Sequence, residues 1–262
     1  MAQAADILLL LARSRTETAS LAEICRAVGL HKSKGFAILN TLRSYGFVTK
    51  DPSGKTYSLG PGLLTLSRAM LDGTDLVREA DPYLADLAAA TGATALLGLV
   101  QDGQVIVVGR HEAETAIAVT IRVGHRYDLT WGAHGRAIVA FLPSDDREAV
   151  LTGGRLLFDG AGGGEGPHPS PPPDLPALRH ELDEVVRLGY AVDVGRVQPG
   201  VSAVAAPVLA GSGGEADPRT PVACVILVGT FTLGQANAHG DRVAATARSL
   251  AADLRPLLDH YR

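Results

Sequence analysis

A short run of cationic and hydroxyl side chains near the amino terminus has the chemistry needed to bind a polyanion. The run reads His31-Lys32-Ser33-Lys34-Gly35. Lys32 and Lys34 can neutralise phosphates, and Ser33 can cap a helix and bond a phosphate oxygen. These side chains therefore suit the backbone of a nucleic acid.

Further polar positions follow along the helix that this run would open and in a hairpin behind it. Gly35 and Ala37 are small enough for the helix to approach DNA closely, and Lys50 and Lys55 flank the hairpin turn, where a cation meets a phosphate or the minor groove. The predicted DNA-contacting residues are Lys32, Ser33, Lys34, Gly35, Ala37, Asn40, Thr41, Arg43, Lys50 and Lys55.

Three helices and a hairpin are expected to position these side chains. A helical stripe spans residues 7–11, and a second helix runs from its N-cap Ser20, with Glu23 completing a capping box, to a stop at Gly29. Strands at 47–50 and 55–59 enclose a Pro- and Gly-containing turn. This order predicts a winged helix-turn-helix, although a structural or protein-interaction module could share the pattern. The inward stripe of the third helix is predicted to be Phe36, Leu39, Leu42 and Tyr45.

Charge and composition favour the same assignment. Residues 1–60 carry eight Lys and Arg against four Asp and Glu, whereas residues 61–262 carry 16 against 24. The basic end is the candidate polyanion binder. Because no apolar run near the start approaches the roughly 20 residues of a membrane span, we expect a cytoplasmic protein without a membrane partner. Cys25 and Cys224 show no metal or disulfide spacing and are expected to be buried thiols.

The remainder of the chain contains strands, then helices, then strands again, with tight turns between neighbouring strands, and this order is typical of an antiparallel sheet. Strands are predicted at 94–100, 104–110, 116–123, 190–194, 201–209 and 221–231, and helices at 133–141, 144–151, 175–188 and 241–258. A kink or restart is expected at Pro82 within the first helix of this part. The fold class is therefore α+β. We predict a DNA-binding domain over 1–60, a linker helix over 61–73 and a second domain over 74–262.

Four segments in order resemble the IclR family of transcription regulators. The first covers residues 20–67, including the Ser33 run, and the second is Leu129 to Ala137. The third and fourth are Gly189 to Asp193 and Gly200 to Val208. The resemblance implies a GAF-like sensor domain with an antiparallel sheet and packed helices. It also implies binding of double-stranded operator DNA by a homodimer or homotetramer, with an affinity that changes when a small effector, often an organic acid, binds.

The chain departs from the family at several of these positions. Lys34, Gly35 and Ala37 replace residues that the family usually has in its recognition helix, so its base preference cannot be carried over. Gly195 and Arg196 replace an acidic pair. Neither repression nor activation follows from these residues.

The predicted effector site combines a helix start with apolar walls. Free backbone N–H groups at Gly132 and Ala133 suit a carboxylate, and Asp193 offers a polar contact or a structural hydrogen bond. Trp131 either lines the pocket or packs in the core. The resemblance adds Ala205 and Pro207, which lie in the fourth segment. The predicted effector-binding residues are Leu129, Trp131, Gly132, Ala133, His134, Asp193, Ala205, Pro207, Ile226 and Val228.

The resemblance also indicates the class of effector. Ile226 and Val228 stand where relatives that sense two- and three-carbon acids often have hydroxyl side chains, Pro207 where some have cysteine, and Trp131 where a small residue is common. Apolar walls favour ligand carbon and remove hydrogen bonds on which a small acid depends. We therefore expect an aromatic or branched acid.

Other functional classes have weaker support in the sequence. His111, His125 and His134 lack a tight ligand spacing, so we predict no metal site. The glycine run within 160–173 leads into proline instead of the Lys-Ser/Thr end of a P-loop, and we predict no cofactor. No G-x-S-x-G or H-E-x-x-H motif is present, which favours a regulator over an enzyme. The alternatives are a second domain that is an enzyme or a ligand-free oligomerisation module.

Overall fold

The computed structural model describes residues 1–13, 18–52, 55–72, 75–112, 121–130, 132–153, 174–214 and 219–259. The chain divides into two units, Met1–Thr74 and Asp75–Arg262. Within the described residues, no helix is both long enough and apolar enough to span a membrane.

The first unit contains helices around a three-stranded antiparallel sheet. Its elements are α1 (Ala2–Arg13), β1 (Ala19–Ser20), α2 (Leu21–Val28), α3 (Lys32–Ser44), β2 (Val48–Lys50), β3 (Thr56–Leu59) and α4 (Gly62–Asp72). The strand order is β1-β3-β2. Its core consists of Ile7, Leu11, Ile24, Leu39, Leu42, Val48 and Tyr57. The predicted winged helix-turn-helix is therefore confirmed, with β1 as an additional strand, whereas the role of α4 as a linker stays a prediction.

Local sequence signals determine where α2 begins and ends. The backbone N–H of Glu23 donates to Ser20 Oγ over 3.3 Å, and the N–H of Ser20 donates to Glu23 Oε2 over 2.7 Å. This reciprocal capping box satisfies two otherwise unpaired donors of the first turn. Gly29 ends α2 with a φ of 67°. The predicted capping box at Ser20 and the predicted end of the helix at Gly29 are both confirmed.

The predicted inward stripe of α3 is wrong at two positions. Leu39 and Leu42 are buried, but Phe36 is 46% exposed and Tyr45 is 69% exposed. The core-facing row begins at Gly35, which is buried one residue before Phe36, and continues at Leu39 and Leu42. Residues three or four positions apart lie on the same helix face. Gly35 precedes Leu39 by four residues and Phe36 precedes it by three, so the sequence pattern alone could not show which of the two faces the core. Tyr45 lies beyond the last helical residue.

The second unit is built on a six-stranded antiparallel sheet, as predicted. Its strands are β4 (Thr94–Gln101), β5 (Gln104–His111), β6 (Arg126–Asp128), β7 (Ala191–Val194), β8 (Ser202–Ala210) and β9 (Thr220–Gly229). Their order is β6-β5-β4-β9-β8-β7. The tight turn at Asp102 and Gly103 joins β4 to β5, with positive φ at both residues, as a type I′ hairpin requires.

Helices cover both faces of this sheet and produce two buried clusters. The helices are α5 (Asp75–Thr91), α6 (Gly132–Val139), α7 (Ser144–Gly153), α8 (Leu175–Leu188), α9 (Leu233–Asp253) and α10 (Arg255–Leu258). Residues of α5, α9 and α10 pack on one face, and residues of α6, α7 and α8 pack on the other. The second face carries the predicted effector residues of strands β8 and β9.

Three sequence predictions in this unit need correction. Within the 116–123 segment, residues 121–123 are not a strand and 113–120 lie outside the described residues, while β6 forms at 126–128. Helix α5 runs through Pro82 without a restart. The closing helix begins at Leu233, eight residues earlier than predicted, because Thr232 and Gln235 form a capping box.

Candidate DNA-reading surface and effector face

The exposed face of α3 carries most of the predicted DNA-contacting residues. Asn40 is half-buried, and the remaining side chains on this face are exposed. They are Lys32, Ser33, Lys34, Ala37, Thr41 and Arg43. Cationic side chains lie at both ends of the helix, so a phosphate backbone that crosses α3 would meet positive charge at each end.

The first turn of α3 differs from the prediction in its cap. His31 occupies the N-cap position without a side-chain hydrogen bond, and Ser33 lies inside the first turn, so Ser33 is not the cap. The first-turn N–H groups have no helical partner by geometry. They can donate to a phosphate next to the ammonium groups of Lys32 and Lys34.

Gly35 serves helix packing, whereas the sequence predicts a close approach to DNA for it. It is buried, and a Cβ added there would collide with Cys25 Sγ on α2. The absence of a side chain at Gly35 therefore lets α2 and α3 approach each other. Ala37 is exposed and remains a candidate for close approach to DNA.

Two hydroxyl groups on α3 already donate to the helix backbone. Thr41 Oγ1 donates to the carbonyl of Ala37 over 3.1 Å, and Ser44 Oγ donates to that of Thr41 over 2.7 Å. These hydroxyls can accept from a base but do not offer their proton. Asn40 has an amide that both donates and accepts, which is the group that reads adenine in a major groove.

An open cleft of about 690 Å³ lies between the end of α3 and the wing hairpin. Arg43, Lys50 and Lys55 line it, together with Asp51. The sequence predicted these three cations at separate points of the chain, and the fold brings them together. Three cations around one cleft suit a phosphate group.

The predicted effector residues of the sheet lie on one face, in lateral rows. Thr94 pairs with Val228, Val228 with Ala203, and Ala203 with Asp193. The next row contains Leu96, Ile226, Ala205 and Ala191, and the third contains Gly98, Cys224 and Pro207. Directly paired residues share a face in an antiparallel sheet.

Helix α6 covers this face and begins where predicted. Gly132 has a φ of 62°, a left-handed conformation that a side chain would strain. Leu129 and Ala133 belong to the same buried cluster as Ala205, Ile226 and Val228. His134 and Pro207 are buried as well. Trp131 lies outside the described residues.

Asp193 is held by groups of the protein itself. Its Oδ1 accepts from the backbone N–H of Val197 over 3.4 Å, and its Oδ2 lies 3.5 Å from Nη2 of Arg136. Burial raises the pKa of Asp193, and the guanidinium of Arg136 opposes this shift. Arg136 also donates to the carbonyl of Val192 over 2.7 Å and to Glu181 over 3.2 Å. Oδ2 has no hydrogen-bond partner among the described residues, so the ligand contact and the structural role of Asp193 both stay predictions.

His134 is a neutral, buried side chain. Burial lowers its pKa to about 3. The centre of its ring lies 4.9 Å from the ring centre of Tyr127, and the ring centre of Tyr127 lies 4.5 Å from that of His125. In the described parts of the chain, no group of three His, Cys, Asp or Glu side chains could hold a metal ion.

Thr94 was missed by the sequence analysis. Its side chain is fully buried on the effector face, and Oγ1 has no hydrogen-bond partner within the described parts of the chain. Strand periodicity could have placed Thr94 on the same face as Leu96, two residues later in β4. That Thr94 lies beside Val228 follows only from the pairing of β4 with β9.

Comparison with known proteins identifies the family. Residues 68–216 match the model of the bacterial transcriptional regulator IclR C-terminal domain, and residues 2–52 match the IclR helix-turn-helix domain. The glycerol operon regulatory protein of Streptomyces griseus is 32% identical over 79% of this chain and 77% of its own length. The chain belongs to the IclR family.

Solved structures of IclR-type proteins have the same fold. An IclR transcriptional regulator from Alicyclobacillus acidocaldarius is 27% identical, with a TM-score of 0.80 over 96% of each chain. An IclR homologue from Microbacterium hydrocarbonoxydans, in complex with 4-hydroxybenzoate, is 18% identical, with a TM-score of 0.71 over 96% of this chain and 98% of its own. The named IclR relatives are transcription regulators, not enzymes. This protein is a DNA-binding transcription regulator of the IclR family.

Proposed function

We propose that this regulator binds a pseudo-palindromic operator as a homodimer or homotetramer in the cytoplasm, and that a small effector acid changes its affinity. Residues 1–60 bind DNA, 61–73 form a linker helix, and 74–262 bind the effector and assemble the oligomer. The observation that carries the proposal is the exposed polar face of α3, with Lys32 at one end and the three-cation cleft at the other. One recognition helix makes few base contacts, and two-fold symmetry doubles them.

Footprinting on the region upstream of its gene tests the DNA part of the proposal. The intact protein should protect two half-sites related by an approximate two-fold axis. The isolated residues 1–60 should bind the same duplex far more weakly. Protection of a single unsymmetrical half-site at full affinity would contradict the proposal.

The effector part rests on the row of residues at the edge of the α6-covered face. Val228 and Ala203 form an apolar stretch between Thr94 and Asp193. Neighbouring strands lie about 4.8 Å apart, so the Cα atoms of Val228 and Ala203 are separated by about the width of an aromatic ring. The hydroxyl of Thr94 can bond a polar substituent at one end of such a ligand, because it has no hydrogen-bond partner among the residues that the structure describes.

The start of α6 supplies the matching site for the carboxylate. Ala133, in the first turn of α6, belongs to the same buried cluster as Ile226 and Val228. The free N–H groups of a helix start suit a carboxylate, and the apolar side chains favour ligand carbon at roughly 25 cal/mol per Å². The Microbacterium homologue, which has the same fold, was solved in complex with 4-hydroxybenzoate, and this supports an acid of that class as effector. An aromatic or branched acid is therefore the proposed effector.

Calorimetry with glyoxylate, pyruvate and a panel of aromatic and branched acids tests the effector class. The larger acids should bind more tightly, and Trp131→Ala should weaken them. Tight binding of glyoxylate or pyruvate, unaffected by Trp131→Ala, would contradict the proposal.

A Thr94→Val variant separates the proposed role of Thr94 from a structural one. Valine preserves the shape but removes a buried hydroxyl without a partner, so the free energy of unfolding should stay the same or rise. Affinity for a hydroxylated aromatic acid should fall about two- to tenfold, as one lost hydrogen bond predicts. Thr220→Val, at the far end of β9, is the matched control and should change neither quantity.

A further inference from the structure

Phe36 is an exposed aromatic residue on the face of α3 that would enter the DNA groove. It is 46% exposed, and Ala37 beside it is also exposed. A single exposed apolar residue on a protein surface needs no explanation. Phe36 differs because its neighbours along the helix are groups that suit DNA.

The helical spacing places Phe36 on one ridge with three such groups. Lys32 precedes it by four residues, Asn40 follows by four, and Arg43 follows by seven. Residues at these intervals lie above one another on a helix. The ridge begins at the first helical residue and ends at the cleft shared by Arg43 and the wing lysines. Any duplex that contacts both ends of this ridge must also cover Phe36.

The chemistry of the groove selects the base that Phe36 can meet. Hydrogen-bonding groups line the edges of the base pairs in the major groove, and the apolar exception is the C5-methyl group of thymine. A phenyl ring against the polar edges would remove water from them without supplying a hydrogen bond, which is unfavourable. A phenyl ring against a methyl group buries apolar surface on both sides.

We propose that Phe36 binds the C5-methyl group of a thymine in each operator half-site and makes that position specific for thymine. The proposal rests on the proposed operator binding by α3. Asn40 lies four residues further along the ridge, about 6 Å by helix rise, or about two base steps of 3.4 Å. An adenine bonded by the Asn40 amide is therefore expected about two positions from the thymine.

The test uses duplexes selected from a random pool by the full-length protein. Each thymine of the selected site is replaced in turn by uracil, which lacks the methyl group and keeps the pairing edge. Wild-type affinity should fall about fourfold at one thymine in each half-site, the change that corresponds to ~0.8 kcal/mol for one methyl-sized group. Phe36→Ala should bind the thymine duplex more weakly and show no difference between thymine and uracil at that position.

Tyr45→Ala is the matched control, because Tyr45 is an exposed aromatic residue beyond the end of α3. It should keep the wild-type dependence on the methyl group. Three outcomes overturn the proposal: wild-type protein that tolerates uracil at every thymine, a Phe36→Ala variant that keeps the methyl dependence, or a change of oligomeric state in Phe36→Ala that accounts for its weaker binding. If the protein selects no duplex at all, the proposed operator binding fails. If it selects a duplex but shows no methyl dependence through Phe36, only the proposal for Phe36 fails.

Discussion

The guanidinium of Arg136 on α6 lies 3.5 Å from the carboxylate of Asp193 on β7, and the side chains are 1% and 4% exposed. This pair connects the helix that starts the proposed carboxylate site to the sheet that forms its floor. The same guanidinium also bonds the carbonyl of Val192. The position of α6 over the effector face therefore depends on a buried charge network.

Replacement of Arg136 by methionine should destabilise the protein strongly. The change leaves the Asp193 carboxylate buried without its cation, and loss of one member of a buried pair typically costs about 3–5 kcal/mol. Chemical denaturation of the full chain measures the loss. Arg187→Met is the control, since Arg187 pairs with Glu184 on the surface and such pairs contribute about 0–1 kcal/mol. Equal effects of the two variants would refute a structural role for the Arg136 pair.

His134 should make the protein less stable in mild acid. Its pKa in the folded protein is about 3, below the ordinary 6.5, because burial disfavours the charged ring. As the pH falls below about 6.5, the unfolded chain takes up a proton that the folded chain does not, so this contribution to stability is present above that pH and lost below it.

The measurement is the free energy of unfolding between about pH 4 and pH 6, where one such group contributes a slope of about 1.4 kcal/mol per pH unit. His134→Gln should reduce the slope by up to that amount. His180→Gln serves as the control, because His180 is exposed on α8. A slope in His134→Gln as steep as that of the wild type would show that other groups account for the acid lability.

Gly35→Ala should destabilise the first unit through a clash with Cys25. The added methyl group meets Cys25 Sγ, and overpacking of this kind costs about 1–3 kcal/mol, more than the helix propensity that alanine gains. Cys25→Ala removes the sulfur, so the double variant should recover the stability of Cys25→Ala. Gly234→Ala, in open space at the start of α9, should be nearly neutral. Additive effects of Gly35→Ala and Cys25→Ala would mean that the two sites do not touch.

Lys32→Ala and Lys34→Ala should weaken binding to every duplex. A lost phosphate contact lowers the salt slope of binding by about 1 and leaves base preference unchanged. Titrations at several salt concentrations measure it, with Arg242→Ala, an exposed site on α9, as the control. An altered base preference with the original slope would identify these lysines as base readers.

The sequence predicted those parts of the fold that local signals determine. The Ser20 cap, the Gly29 stop and the Asp102-Gly103 turn depend on residues near each other in the chain, and all three are present. The inward face of α3 depends on the close contact between Gly35 and Cys25. Residue spacing does not predict such a contact, and for that reason the sequence pattern wrongly placed Phe36 in the core.

The site residues show the same distinction. Arg43, Lys50 and Lys55 were predicted one by one, but their shared cleft required the hairpin to lie beside the end of α3. Thr94 required the register of β4 with β9, which are more than a hundred residues apart. The contact of Asp193 with Arg136 likewise joins segments that are distant in the sequence.

We expect this one chain to couple operator binding to an effector acid, and operator affinity measured with and without each acid of the panel tests that coupling. Fluorescence anisotropy of a labelled operator, with the full-length protein, provides the dissociation constants. An aromatic or branched acid should change the dissociation constant by at least fivefold, the lower end of a typical allosteric coupling of about 1–3 kcal/mol, whereas glyoxylate and pyruvate should not. An operator affinity that no acid changes, or that only glyoxylate or pyruvate changes, would contradict it.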